Sequence, residues 1–286
     1  MERALFGPAG NPQRFYDEGN KSTWQIMRWL AAMGLGAYEY SCGKGVNGSA
    51  ETYRKIGAEA AQYGIRVSLH TPYFISLTNT APESVQKTLN YVRQSVDAAH
   101  ALGADRIVIH TGSVMKLDRA EALRRNRENL SVILSEISAD GIRIGIETMG
   151  KCNQLGTLEE VIDLCTMDER LYPVVDFGHL NARNLGGYFV TEDDYMRVFD
   201  SIDHALGAEK AKTLHCHFSH IEYTGAGEKR HLTFADTDFG PFHEPLMAVI
   251  AKNGLTPRII CESDGTMADD ALTMQRDYEK FLAQQA

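Results

Sequence analysis

Eight residues of the types that bind transition metals recur along this chain: His70, His110, Glu147, Asp176, His179, His217, His231 and Glu262. Six of them close short apolar segments that read as buried strands: IRVSLH, DRIVIH, RIGIE, YPVVD, TLHCH and RIICE. One histidine at a strand end is more often a hydrogen-bonded rim residue than a ligand. Six such endings imply a fold that gathers strand ends at one point. Carboxylates gathered there would repel one another without a cation. Imidazole mixed with carboxylate suits Zn2+, Mn2+ or Fe2+ better than Mg2+ or Ca2+. Four nitrogen and oxygen ligands satisfy one zinc. Eight candidates therefore point to two or three ions sharing bridging carboxylates, which clamp a phosphate and activate a water.

The elements that must position these residues alternate between strand and helix. Strands are expected at 4–7, 37–40, 65–69 leading into His70, 105–110, 142–147, 172–176, 212–218 and 257–262. Helices are expected near 21–33, 50–63, 81–102, 119–138, 157–167, 191–206, 241–252 and 268–283. Gly64 and Gly103 stand where helix-terminating glycines belong. Eight strands, each followed by a helix, spell an α/β fold of the (β/α)8 TIM-barrel type, in one domain over residues 1–286. In that fold the active site lies at the C-terminal ends of the strands, where six of the eight candidates sit. An open doubly wound sheet would need a phosphate-binding glycine fingerprint. The glycine-rich stretch SCGKGVNGSA is neither G-x-G-x-x-G nor a P-loop. Residues 218–240 form the longest irregular segment and are expected to be a functional loop.

Composition narrows the setting. A net charge of −9 counts against strong non-specific nucleic-acid affinity, although a local basic face or bound cations can offset it. No apolar run approaches the roughly 18 residues of a membrane span. The opening MERALFGPAGNPQRF lacks a signal-peptide pattern, so a cytoplasmic location is expected, with no obligate protein partner indicated. The five cysteines form no C-x-x-C pair. Cys216 and Cys261 each precede a candidate ligand and should point away from it, into the layer between strands and helices.

The motifs resemble those of the endonuclease IV family of apurinic/apyrimidinic endonucleases, within the xylose-isomerase-like barrels. The segments SLHTPY, VIHTGS, GIETM, VVDFGHLNAR, HFSHIEY, GEKRH and ICES occur in the family's order over nearly the whole chain. The resemblance implies one zinc on His70, His110 and Glu147, and a second on Glu147, Asp176, His217 and Glu262. His179 and His231 would help hold a third. It implies hydrolysis of the DNA backbone 5′ of abasic sites in damaged duplex DNA, with Glu147, Tyr73 and Lys229 in catalytic roles and Arg183 and Arg230 also at the mouth. The family has Asp-Arg-His where this chain has Lys229-Arg230-His231. A protonated lysine cannot be a ligand. Its ammonium is then free to face a phosphate, and the neighbouring Glu228 is the candidate substitute ligand. His215 shares a strand face with His217 and competes with it, with His217 preferred as nearer the strand end; His220 is a weaker candidate.

A different reaction class remains open. Sugar isomerases and epimerases of the same superfamily hold one Mn2+-like ion through Glu, Asp, His and Glu, a set that Glu147, Asp176, His217 and Glu262 also supply for a small sugar substrate. His70, His110, His179 and His231 discriminate, because a mononuclear epimerase does not need them as ligands. A non-catalytic metal-binding role would leave an open, multi-ligand site at a barrel mouth without use.

Overall fold

A computed structural model describes residues 3–285; residues 1, 2 and 286 of the expected domain lie outside the described residues. Eight parallel strands form the sheet: β1 (Leu5–Pro8), β2 (Ala37–Ser41), β3 (Arg66–His70), β4 (Arg106–His110), β5 (Arg143–Glu147), β6 (Leu171–Asp176), β7 (His215–Phe218) and β10 (Arg258–Cys261). Their order is β1-β10-β7-β6-β5-β4-β3-β2. The seam between β1 and β2 is closed at both ends, where Gly36 N donates to Phe6 O and Gly10 N donates to Glu39 O. Between those bonds a Cβ on Gly7 would stand 1.7 Å from the Ala37 carbonyl oxygen. Only glycine lets the first strand approach the second closely enough to complete the barrel.

Helices cover the outside: α2 (Ile26–Met33), α3 (Ala50–Tyr63), α4 (Pro82–Leu102), α5 (Arg119–Glu136), α6 (Leu158–Cys165), α8 (Glu192–Leu206), α10 (Glu244–Lys252) and α11 (Met267–Ala283). Their ends follow local chemistry. Thr157 and Thr191 open α6 and α8 with capping boxes that use Glu160 and Asp194. Gly64 and Gly103 end α3 and α4 in the left-handed region, as the sequence predicts. Phe6, Ile107, Ile109, Ile144, Ile146, Cys216 and Cys261 belong to one buried apolar cluster.

Two departures from expectation shape the site. The seventh strand begins at His215, because Ala208–Lys212 forms a short helix, α9. Residues 218–240 are not a plain loop: β8 (His220–Thr224) and β9 (Gly227–Leu232) form an antiparallel hairpin that turns through Gly225 and Ala226, with Gly227 at φ +88 opening the second strand. Further short helices, α1 (Gln13–Asp17) and α7 (Phe177–Arg183), also lay outside the expected pattern.

Candidate metal centre

The sheet register assembles the strand ends in pairs: Ser41 beside His70, His110 beside Glu147, and Asp176 beside His217. Glu147 is the hub. Its Oε2 lies 3.2 Å from His70 Nε2 and 3.0 Å from His110 Nε2, and its Oε1 accepts from His217 Nδ1 at 2.8 Å. Glu262 Oε1 stands 3.5 Å from His217 Nδ1, and Glu262 Oε2 stands 4.0 Å from His231 Nδ1.

Asp176 does two jobs at once. As the N-cap of α7 it accepts from His179 N at 2.7 Å through Oδ1. Its Oδ2 is buried with no hydrogen-bond partner among the described residues. A buried carboxylate oxygen without a hydrogen bond, 3.4 Å from His179 Nδ1 and beside further carboxylates, fits a cation. His179 is oriented from behind, its Nδ1 against Thr148 O at 2.9 Å and its Nε2 3.5 Å from Glu228 Oε2. The His70 Nδ1 is likewise engaged, by Thr71 O at 2.9 Å, which turns Nε2 toward Glu147.

Ligand atoms converge in four groups, three of which share residues: His70, His110 and Glu147; Glu147, Asp176, His217 and Glu262; and Glu39, His70, His217 and Glu262; the fourth, His179, Glu228 and His231, stands apart. All eight sequence candidates are therefore brought together. Among the described residues the groups add Glu228 and Glu39. Glu228 stands where a lysine neighbour cannot serve, and it is presented by the hairpin. Glu228 N donates to Gly150 O at 3.0 Å, and a Cβ on Gly150 would come within 2.6 Å of Glu228 Cβ. The absence of a side chain at Gly150 is what lets the hairpin seat Glu228 against His179.

Glu39 escaped the sequence reading because it does not end its strand. It lies two residues before Ser41, pairs in register with Ser68, and so sits one layer deeper in the barrel. Its Oε1 is 2.9 Å from His217 Nε2, and its Oε2 accepts from Ser68 Oγ at 2.8 Å and meets His215 Nε2 at 2.9 Å. The signal available was an acid embedded in the aromatic segment AYEY. His215 is placed below the site, with Nδ1 3.4 Å from Arg106 Nη1. His217, not His215, belongs to the converging groups.

Protons and carboxylates balance within this cluster. Burial alone would raise Glu39 and Glu147, but His217 and the other histidines overcome it and hold both carboxyls well below the usual range. Burial works against protonation of His70 and His179 too. Glu147 raises His70 to about 9, and Asp176 with Glu228 raises His179 to about 9. His215 goes the other way, to about 3, through burial.

The remaining expectations separate. Tyr73 is 55% exposed and lines the cleft of about 390 Å3 above the cluster. Lys229 does not line it. Its ammonium pairs with Glu222 at 2.5 Å on the exposed side of the hairpin, and Arg230 is held by the same carboxylate at 2.6 Å. Arg183 is spent on the carbonyls of Met149 and Gln154. His220 is buried against Phe234, with Nδ1 2.8 Å from Asp236 O. The lysine that does line the cleft is Lys151.

This architecture is a parallel barrel with metal-ligand types gathered at its strand ends, and comparison with known proteins agrees on the barrel. The chain belongs to the xylose isomerase-like TIM barrel family, whose model matches residues 27–279. An uncharacterized protein of Methanocaldococcus jannaschii is 28% identical over 277 residues, covering 95% of this chain and 96% of its own. A probable endonuclease 4 of Shouchella clausii is 29% identical over 225 residues, 74% of this chain and 75% of its own. Among solved structures, a D-tagatose 3-epimerase-like protein superposes with TM-score 0.69 at 18% identity, covering 98% of this chain and 99% of its own. Endonuclease IV from Thermus thermophilus gives TM-score 0.67 at 19% identity with the same coverage. The backbone alone therefore does not separate the two chemistries. Among the described residues, no helix is long and apolar enough to cross a membrane.

Proposed function

We propose that this chain is a metal-dependent phosphodiesterase of the endonuclease IV type, cutting the DNA backbone 5′ of abasic sites. The observation that carries the reading is the histidine surplus. His70, His110, His179 and His231 build two ligand groups flanking the Glu147, Asp176, His217 and Glu262 set. A barrel that handles a sugar with one ion does not need them as ligands. In this reading His70, His110 and Glu147 hold one ion, Glu147, Asp176, His217 and Glu262 a second, and His179, Glu228 and His231 a third. Zinc suits this nitrogen-rich set best, with Mn2+ or Fe2+ chemically acceptable.

Bound divalent cations supply Lewis-acid charge to the scissile phosphodiester. The chain's own groups do the rest. Glu147 belongs to both of the first two ligand groups and would be shared by the ions they hold. Thr148 O, Thr71 O and Ser219 hold the histidine rings so that the donor atoms are set before substrate arrives. Tyr73 offers an exposed ring at the rim, against which the extruded abasic sugar-phosphate can rest. Lys151 brings a cation to the cleft of a chain whose net charge is −9. Lys229 is given no catalytic part, since Glu222 holds it on the exposed side of the hairpin.

The deciding experiment measures metal per purified chain together with incision of a duplex containing one abasic site. More than one ion per chain and a cut 5′ of the lesion is the expected result. One ion per chain, no incision and interconversion of ketohexose epimers would replace this reading with the mononuclear epimerase.

A further inference from the structure

Strands β3, β4, β5 and β10 end at or beside the metal-type residues, and all four begin with arginine: Arg66, Arg106, Arg143 and Arg258. In a parallel barrel the first residues of the strands share one face, opposite the site described above. There they line a cavity of about 460 Å3, joined by Arg3. Its carboxylates are Asp105 and Glu209. The cavity thus sets five arginines against two acids in a chain that is acidic overall.

Asp105 is already committed. Arg258 Nη1 and Nη2 donate to its two oxygens at 2.8 and 2.9 Å, and Arg106 Nε and Nη2 donate to the same oxygens at 3.1 and 3.2 Å. Two guanidiniums, only 6% and 5% exposed, share this one carboxylate. Burial and the neighbouring Arg106 bring Arg258 down to about 10, so it keeps its proton at neutral pH. Arg3, Arg66 and Arg143 have no hydrogen-bond or ion-pair partner for their guanidiniums among the described residues. Arg143 lies over the Tyr172 ring, 4.7 Å from its centroid, which holds the group at the cavity wall without neutralising it. Arg3 and Arg66 are exposed and Arg143 is half-buried, in front of the buried Arg106 and Arg258; like charges gathered at one mouth repel one another, and an anion held among them offsets that repulsion. Guanidinium forks match tetrahedral oxyanions bidentately.

We propose that the cavity at the N-terminal face of the barrel binds a small phosphate-type anion of at least two negative charges, gripped by Arg66 and Arg143 with Arg3 at the rim and with Arg106 and Arg258 behind them. The volume falls in the range of small-molecule sites, roughly 300–1,000 Å3. The site is separate from the metal centre and does not depend on its chemistry.

Arginine-selective modification distinguishes the two ends of the barrel, because no arginine lines the metal-face cleft. The metal-loaded protein is treated with phenylglyoxal with and without millimolar pyrophosphate, and the modified arginines are mapped by mass spectrometry. Arg66 and Arg143 should react about tenfold more slowly in pyrophosphate, while Arg54, exposed on α3, reacts at an unchanged rate. Protection should persist at about 0.15 M salt, where diffuse surface attraction is screened. Orthophosphate protecting as well as pyrophosphate supports a single-phosphate ligand, and protection by pyrophosphate alone supports a two-phosphate ligand. In Arg66→Gln and Arg143→Gln, protection of the remaining arginine should need about tenfold more pyrophosphate, with metal content unchanged, as expected for loss of one charge-assisted contact and as pyrophosphate held at the metal centre would not produce. Equal modification rates with and without the anion, or protection that vanishes at 0.15 M salt, would overturn the proposal.

Discussion

Replacing Glu147 with Gln removes the one side chain that touches His70, His110 and His217 together. The amide keeps the shape but loses the charge that balances three histidines. Metal content should fall and incision should drop to background in the gel assay; retained activity would disprove the bridging assignment. Glu228→Gln acts on a single group and should remove at most one ion per chain, leaving the central set loaded. Lys229→Ala tests the opposite expectation. Its partner pair is 54% exposed on the lysine side, and exposed pairs are worth about 0–1 kcal/mol. Incision should stay within about twofold, and a loss of tenfold or more would return Lys229 to the cleft. Six of the candidates were legible because a residue's type and its position at the end of an apolar run are both written in one dimension; His179 and His231 were reached through the motif resemblance. Glu39 was not. Its role depends on lying one barrel layer below His70, a relation created by the register of β2 on β3. Lys229 was misplaced for a related reason: which face of a hairpin a residue occupies follows from the pairing of β8 with β9, and here Glu222 captures it.

At the level of elements, the strands were readable and the hairpin was not. The segments ending at His70, His110 and Glu147 are short, apolar and bounded by helix stops, so their buried parallel character shows in composition. The HIEYT and GEKRHL runs carry a polar pattern that reads as loop, although the Gly-Ala between them, followed by Gly227, was a turn signal. The hairpin becomes regular because it docks on the loop after β5, through the bridge between Lys151 and Gly227 and the bond from Cys152 N to Ala226 O. Gly150 is the contact point, since a side chain there would strike Glu228 and the His179 ring. Gly150→Ala should therefore cost about 1–3 kcal/mol of stability. It should also lower the metal content by one ion while the far-ultraviolet dichroism of the barrel is kept. A variant with wild-type metal content would show that the hairpin can shift and still ligate.

Across the whole molecule, the barrel interior carries a line of charge from one face to the other. Glu147 contacts His217, His217 contacts Glu39, Glu39 contacts His215, and His215 contacts Arg106, which shares Asp105 with Arg258. Such a core makes stability depend on pH and on metal together. In the metal-free chain His70 and His179 are raised to about 9 from an ordinary 6.5. The folded state then binds more protons than the unfolded state between those values, so this contribution is complete below about 6.5 and is lost as pH climbs to about 9. On the acid side, Glu39 and Glu147 are held low and His215 is depressed to about 3, so stability falls again as pH drops below about 6.5 and then through the carboxylate range. Chelated protein should be most stable near neutrality and should lose melting temperature between pH 7 and 9.5. A few kcal/mol there corresponds to a fall of several degrees, at roughly 2–4 °C per kcal/mol for chains of about 150–250 residues. Zinc binding through these histidines would displace the same protons, so its apparent affinity should tighten by up to about tenfold per pH unit for each proton released, up to about pH 9. The gain in melting temperature on adding zinc should therefore widen from pH 7 to pH 9. Scanning calorimetry of chelated and zinc-loaded protein over that range measures both slopes. A gain that stays constant would mean that His70 and His179 carry no protons for the metal to displace, and that the carboxylates do not raise them as the geometry requires.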